Sequence, residues 1–168
     1  MAVAKAAMDS GVARTPIKDW KAYRQHLREL MGQESKFTQN LYDTARSNPK
    51  RVVFAEGTHP TMLEAAVRAK EEGICFPILL GNDVQIRKIA EELKLNLEGI
   101  EILNLRNDTQ NERRHRYAQI FAKKMERKGY TPQEAEDKMY ERNYFGMMMV
   151  ETGEADAFIT GLYTKYSN

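Results

Sequence analysis

From Val52 onward, short apolar runs alternate with stretches whose apolar residues recur at helical spacing, and each change of period coincides with Gly, Asn or Pro. That alternation predicts parallel βαβ units. "RVVFAEG" reads as a first strand, and Pro60 suits the first turn of a helix capped by Thr58 or His59. The helix runs through "TMLEAAVRAKEE" to Gly73, a residue able to close it in the left-handed conformation. "FPILLGN" is a second strand. Asn82 followed by Gln85 resembles a capping box for the helix "DVQIRKIAEELK". "IEILNL" is a third strand. Two helices are predicted next with no strand between them. One is "NERRHRYAQIFAKKMERKG", with Tyr117, Ile120, Phe121 and Met125 on one face; the other starts at Thr131-Pro132, with Glu134 completing a capping box, and ends at Gly153. "ADAFITG" reads as a fourth, buried strand.

Before Val52 the pattern changes. "PIKDWKAYRQHLRELMG" places Trp20, Tyr23, Leu27 and Leu30 on one helical face, with Asp19 in position to cap it. "ESKFTQNLYDTARSNPK" predicts a short helix ending before Pro49. The expected division is therefore a linker with helices over residues 1–48 and an α/β domain over residues 49–168.

Composition narrows the classes without choosing among them. With 26 Lys+Arg against 24 Asp+Glu, overall charge argues for neither a nucleic-acid nor a membrane partner. The single cysteine, Cys75, excludes an intramolecular disulfide and fits a reducing compartment. No apolar run approaches the roughly 20 residues of a membrane helix. The first residues, "MAVAKAAMDSG", lack the apolar core of a secretory signal, so a cytoplasmic location is expected.

In an open parallel sheet, ligands bind outside the carboxyl ends of the strands, where helix N-termini converge. That rule gathers Glu56-Gly57-Thr58, Gly81-Asn82, Asn104 and Thr160-Gly161 on one rim. Taken singly, Thr58 and Asn82 are helix caps, the glycines make turns, and Glu56 is an acid–base candidate or a helix-terminus charge. The histidines His26, His59 and His115 share no metal-ligand spacing with one another or with Cys75. Neither G-x-G-x-x-G nor a P-loop pattern occurs. "RRHR" at 113–116, with Lys123, Lys124, Arg127 and Lys128, makes a basic helix able to hold phosphates, though most such runs are solvated faces.

"RVVFAEG", "PILLGN", "RKGYTPQEA" and "NYFGMMMVETGEADAFITG" fall in the order and spacing of the phosphate acetyl/butyryltransferase family, which the chain resembles over about residues 50–166. The resemblance implies a three-layer α/β/α fold with a mainly parallel sheet, of the isocitrate/isopropylmalate dehydrogenase type, forming the first part of a two-domain unit. The front piece "SGVARTPIKDWKAYRQHL" resembles the end of bacterial NADP-dependent malic enzymes, where it leads into a fused transferase-like domain. Together these resemblances imply a junction plus the first part of such a fused domain, sensing acetyl-CoA and supporting homo-oligomerisation. The NADP and divalent metal (Mg or Mn) of the malate reaction are implied for the upstream region, and no cofactor or catalytic residue for this stretch. Acting transferases carry Ser-Gly-Ala and then His-Ser/Thr after the last strand, where this chain reads Thr160-Gly161-Leu162-Tyr163-Thr164-Lys165-Tyr166. Their functional arginine before the "KG" turn corresponds to Met125. The alternative implied by the same family is an active phosphate acetyltransferase. The ligand rim expected on this basis is Thr160, Gly161, Tyr163, Thr164, Lys165 and Tyr166, with Gly161 allowing close backbone approach and Lys165 supplying a charge for phosphate.

Overall fold

The computed structural model describes residues 2–13, 15–30 and 36–162. The chain forms two compact units, residues 1–44 and 45–168. The first holds helices α1 (Ala2–Asp9), α2 (Trp20–Leu30) and most of α3 (Lys36–Ser47). Asp19 caps α2, its Oδ1 accepting from the N–H groups of Lys21 at 2.8 Å and Ala22 at 3.1 Å. Trp20 and Tyr23 meet edge to face with ring centroids 6.2 Å apart, as the predicted apolar face requires.

The second unit is the α/β fold. Its elements run β1 (Lys50–Phe54), α4 (Pro60–Glu71), β2 (Cys75–Leu80), α5 (Asp83–Glu92), β3 (Glu101–Leu103), α6 (Asn111–Met125), α7 (Pro132–Lys138), α8 (Arg142–Glu151) and β4 (Ala157–Ile159). The four strands pair in parallel in the order β3-β2-β1-β4. Alternation along each strand sorts the side chains between two faces. Phe54 and Leu79 join Met62, Leu63, Ala66 and Val67 of α4 and Ile86 and Ala90 of α5. Val53, Ile78, Leu80 and Leu103 join Tyr117, Ala118 and Phe121 of α6, Ala135 of α7, and Phe145, Met148 and Met149 of α8. The result is three layers, α/β/α. Pro77 sits in β2 one residue before that strand pairs with β3, so β1 alone lies beside it there.

Local signals act as read in several places. Gly73 closes α4 at φ 70°, with its own N–H on Lys70 O and the Ile74 N–H on Ala69 O. Asn82 Oδ1 caps α5 by accepting from the Gln85 N–H at 3.1 Å, one half of the expected box. Thr131 and Glu134 form a complete capping box at α7: the Glu134 N–H donates to Thr131 Oγ1 at 3.2 Å and the Thr131 N–H to Glu134 Oε2 at 2.8 Å. Thr131→Ala is expected to cost roughly 0.5–2 kcal/mol. Urea denaturation checks this, and an unshifted midpoint would remove the box from the energetics of the fold.

Two expectations are corrected. The stretch from Thr131 to Gly153 is two helices, broken at Met139–Glu141, where Glu141 takes an extended conformation (φ −87°, ψ 125°). The break lets Met139 at the end of α7 and Phe145 in α8 both bury completely in the core that α6 lines, which one straight helix would not do. Second, β4 is not a buried strand: Ile159 is 43% exposed. β4 pairs with β1 and, among the described residues, forms the sheet edge.

At the amino ends of β1 and β4, the Arg51 N–H donates to Asp156 Oδ2 at 2.8 Å and the Arg51 guanidinium reaches both Asp156 oxygens and Gly153 O. These bonds hold the Asp156 carboxyl below the usual carboxylate range. A depressed folded-state value contributes stability above the unfolded value, and that stability is lost as pH falls below about 4. Asp156→Asn should therefore flatten the loss of stability between neutral pH and pH 3, as read by urea midpoints. An identical acid dependence in both proteins would contradict the assignment.

Candidate functional site

The chain passes from β1 to β2 to β3 in one direction, then crosses the other face and returns as β4 on the far side of β1. The direction reverses between β1 and β4, so their carboxyl ends flank the crevice where an open α/β sheet binds ligands. The sequence places a tight turn at each. After β1 the His59 N–H donates to Glu56 O at 2.9 Å and the Gly57 N–H to Leu80 O at 3.1 Å. A Cβ on Gly57 would stand 3.0 Å from Leu80 O and 3.1 Å from Ile86 Cδ1, so only glycine lets the chain leave β1 this close to β2. The turn carries the Glu56 side chain inward, where it is 3% exposed.

Glu56 Oε1 accepts from the Gly161 N–H at 3.1 Å and the Leu162 N–H at 3.3 Å, and lies 3.2 Å from Thr160 Oγ1. Thr160 Oγ1 also lies 2.8 Å from Asn143 Oδ1 at the start of α8. Gly161 adopts φ 129°, a region that a side chain would strain. Thr160 and Gly161 of the expected rim thus sit at the reversal point, tied to Glu56. Tyr163, Thr164, Lys165 and Tyr166 lie outside the described residues.

Beside this junction opens a cavity of about 760 Å³, lined by Glu56, Thr58, Gly81, Asn82, Gln85, Asn104, Leu105, Arg106 and residues 140–143. Glu56, Thr58, Gly81, Asn82 and Asn104 are rim residues anticipated from the order of strands and turns. Gln85, Leu105, Arg106, Tyr140, Glu141, Arg142 and Asn143 were not; the last four enter through the unanticipated break between α7 and α8. The wall is built from short polar contacts. Asn104 Oδ1 accepts from the Arg106 N–H at 3.1 Å, and the Lys138 ammonium holds Glu141 at 2.7 Å. With two guanidiniums, two carboxylates, four carboxamides from Asn82, Gln85, Asn104 and Asn143, and the N-terminus of α5, the cavity suits a polar ligand rich in hydrogen-bonding groups.

One member of the basic run, Arg114, supports this wall, while His115, Arg116, Lys123, Lys124, Arg127 and Lys128 are exposed, as a solvated face requires. Arg114 is 5% exposed. Its guanidinium donates to Leu105 O, to Asn107 O at 3.1 Å and to Asn111 Oδ1, and stacks 4.5 Å from the centroid of Tyr140. It thereby fixes the loop after β3 against the α7–α8 junction. Arg113 and Arg116 pair with Glu154, Lys124 pairs with Glu151, and His115 Nδ1 lies 2.8 Å from Glu136 Oε1. Met125 packs half-buried against the core.

Cys75 is buried at the opposite end of the sheet, and burial pushes its thiol up, away from the reactive thiolate. Among the described residues no group of three or more His, Cys, Asp or Glu is placed to hold a metal ion, and no helix is long and apolar enough to cross a membrane.

The NADP-dependent malic enzyme of Rhizobium meliloti is 37% identical over 170 residues, which cover 99% of this chain and 22% of that protein. The chain thus spans about a fifth of the length of the malic enzymes it matches. A phosphate acetyltransferase from Thermoanaerobacterium thermosaccharolyticum is 36% identical over 123 residues, 73% of this chain and 36% of that enzyme. In three dimensions, the EutD phosphotransacetylase from Staphylococcus aureus superimposes with a TM-score of 0.63 at 25% identity, over 77% of this chain and 38% of that one. The sequence pattern that defines phosphate acetyl/butaryl transferases matches residues 36–168, the whole of the sheet and both turns at its reversal point, and the chain belongs to that family.

Proposed function

We propose that this chain is a regulatory and assembly region of an NADP-dependent malic enzyme, sensing acetyl-CoA or a related acyl-CoA at the rim around Glu56 and Thr160. The observation that carries this reading is the extent of the similarity. The malic enzyme likeness covers 99% of the chain, including the helices before residue 36, whereas the phosphate acetyltransferase likeness covers 73%. On this reading the parent enzyme decarboxylates malate oxidatively to pyruvate in the cytoplasm as a homo-oligomer. NADP and a divalent metal, Mg or Mn, belong to its upstream malic domain, and the chain described here needs neither. The cavity supports the effector role because its guanidiniums and carboxamides offer donors to phosphate or carbonyl oxygens. Met125, half-buried in the core where acting transferases carry an arginine, and the missing His-Ser/Thr pair after Gly161 argue against acyl transfer.

The 36% identity to a phosphate acetyltransferase favours a second reading, that of an active transferase moving acetyl between CoA and phosphate. One assay separates the two. Incubated with acetyl phosphate and CoA, the purified chain is expected to form no acetyl-CoA. Turnover that scales with the amount of this protein would establish the transferase instead.

A further inference from the structure

We propose that Glu56 is the positioning residue of the ligand rim: its buried carboxylate sets the conformation of the turn after β4 and takes up that turn's backbone N–H groups. The proposal rests on the rim being the ligand site, as argued above, and adds a positioning role for Glu56.

A carboxylate that is 3% exposed is costly to desolvate unless donors compensate it, and an apolar residue would fill the same place more cheaply. Three donors come from one turn far along the chain. Two successive backbone N–H groups, of Gly161 and Leu162, converge on Glu56 Oε1 at 3.1 and 3.3 Å, with the Thr160 hydroxyl at 3.2 Å. Successive N–H groups aimed at one point form a nest that ordinarily holds an external anion. In this fold the anion is internal, supplied by the turn after the first strand.

Two consequences follow from that geometry. The turn, through Leu162, is fixed relative to β1 and not merely hinged at the end of β4. A phosphate arriving at the turn also finds those two N–H groups occupied, so side chains of the rim and cavity must supply its donors. Thr160 sits at the centre of the arrangement, since its one hydroxyl proton serves either Glu56 or Asn143, which lies 2.8 Å away.

Amide hydrogen exchange in the 168-residue chain, followed residue by residue by NMR, tests the proposal. Glu56→Ala is expected to speed exchange at Gly161 and Leu162 roughly tenfold or more, while amides in β1 and β2 change little. Glu56→Gln, whose amide oxygen still accepts, should keep most of the protection. Unchanged exchange at Gly161 and Leu162 overturns the proposal. So does an equal acceleration throughout the sheet, which would make Glu56 a general stabiliser only. If Glu56→Ala does not fold, Glu56→Asp carries the same expectation, because it keeps the carboxylate but withdraws it by one methylene.

Acetyl-CoA binding provides the second arm. Glu56→Ala or Glu56→Asp should raise the dissociation constant roughly tenfold, and Glu56→Gln should stay within about threefold of the unaltered protein. Failure of the unaltered protein to bind acetyl-CoA would remove the functional reading. The exchange data judge the geometry of Glu56 separately from that outcome.

Discussion

Phe145→Ala should lower the stability of the 45–168 unit by about 3–5 kcal/mol, the range for deleting a fully buried aromatic ring. Phe145 is 0% exposed in the first turn of α8, and its ring meets Tyr117 of α6 at a centroid distance of 5.0 Å and an interplanar angle of 61°. The same cluster takes in Val53 and Leu80 of the sheet, so the ring joins two helices to the strands beneath them. Collapse around the vacancy would have to move α8, which carries Arg142 and Asn143 to the cavity rim. Urea denaturation measures the loss. A change below about 1 kcal/mol would mean that α8 repacks freely and does not fix the rim.

Gly146→Ala is expected to cost about 1–3 kcal/mol, although the substitution favours a helix by about 1 kcal/mol when nothing is in the way. Gly146 is buried in α8 where the helix crosses β4. A Cβ there would lie 2.3 Å from Phe158 Cε2 and 2.5 Å from Phe158 Cδ2, far inside contact distance. The added methyl must push α8 off the strand that leads to Thr160 and Gly161. Phe158→Leu should relieve the overlap, so the double variant should be more stable than the sum of the two single changes predicts. Strict additivity, or a stabilised single variant, would show that the ring simply rotates away.

These two sites show where sequence reading succeeds and where it stops. Elements defined by a period and a local terminator were legible, because the information sits within a few residues. Thr131 with Glu134, Asn82 before α5, Gly73 after α4 and Asp19 before α2 all act locally. The break between α7 and α8 was not legible, since Met139-Tyr140-Glu141 contains neither Gly nor Pro. It exists because Met139 and Phe145 both need the same core. For the same reason Tyr140, Glu141, Arg142 and Asn143 were missing from the expected rim. Arg114 looked like one charge among several on an exposed helix, and only the backbone carbonyls of Leu105 and Asn107 reveal it as a buried anchor. The Glu-Gly pair after β1 marked a turn. That its carboxylate reaches residues 160–162 depends on β4 returning beside β1, a matter of topology that spacing along the chain does not encode.

On the proposed function, this transferase-like fold regulates a malate-oxidising enzyme in response to acetyl-CoA. The most direct test of that reading is the rate of malate oxidation by the full-length enzyme across an acetyl-CoA titration, for the unaltered protein and for Lys165→Ala. The expected result is a saturable change in rate that Lys165→Ala weakens while leaving turnover without acetyl-CoA nearly intact. A rate indifferent to acetyl-CoA over the whole titration in the unaltered enzyme would contradict the account.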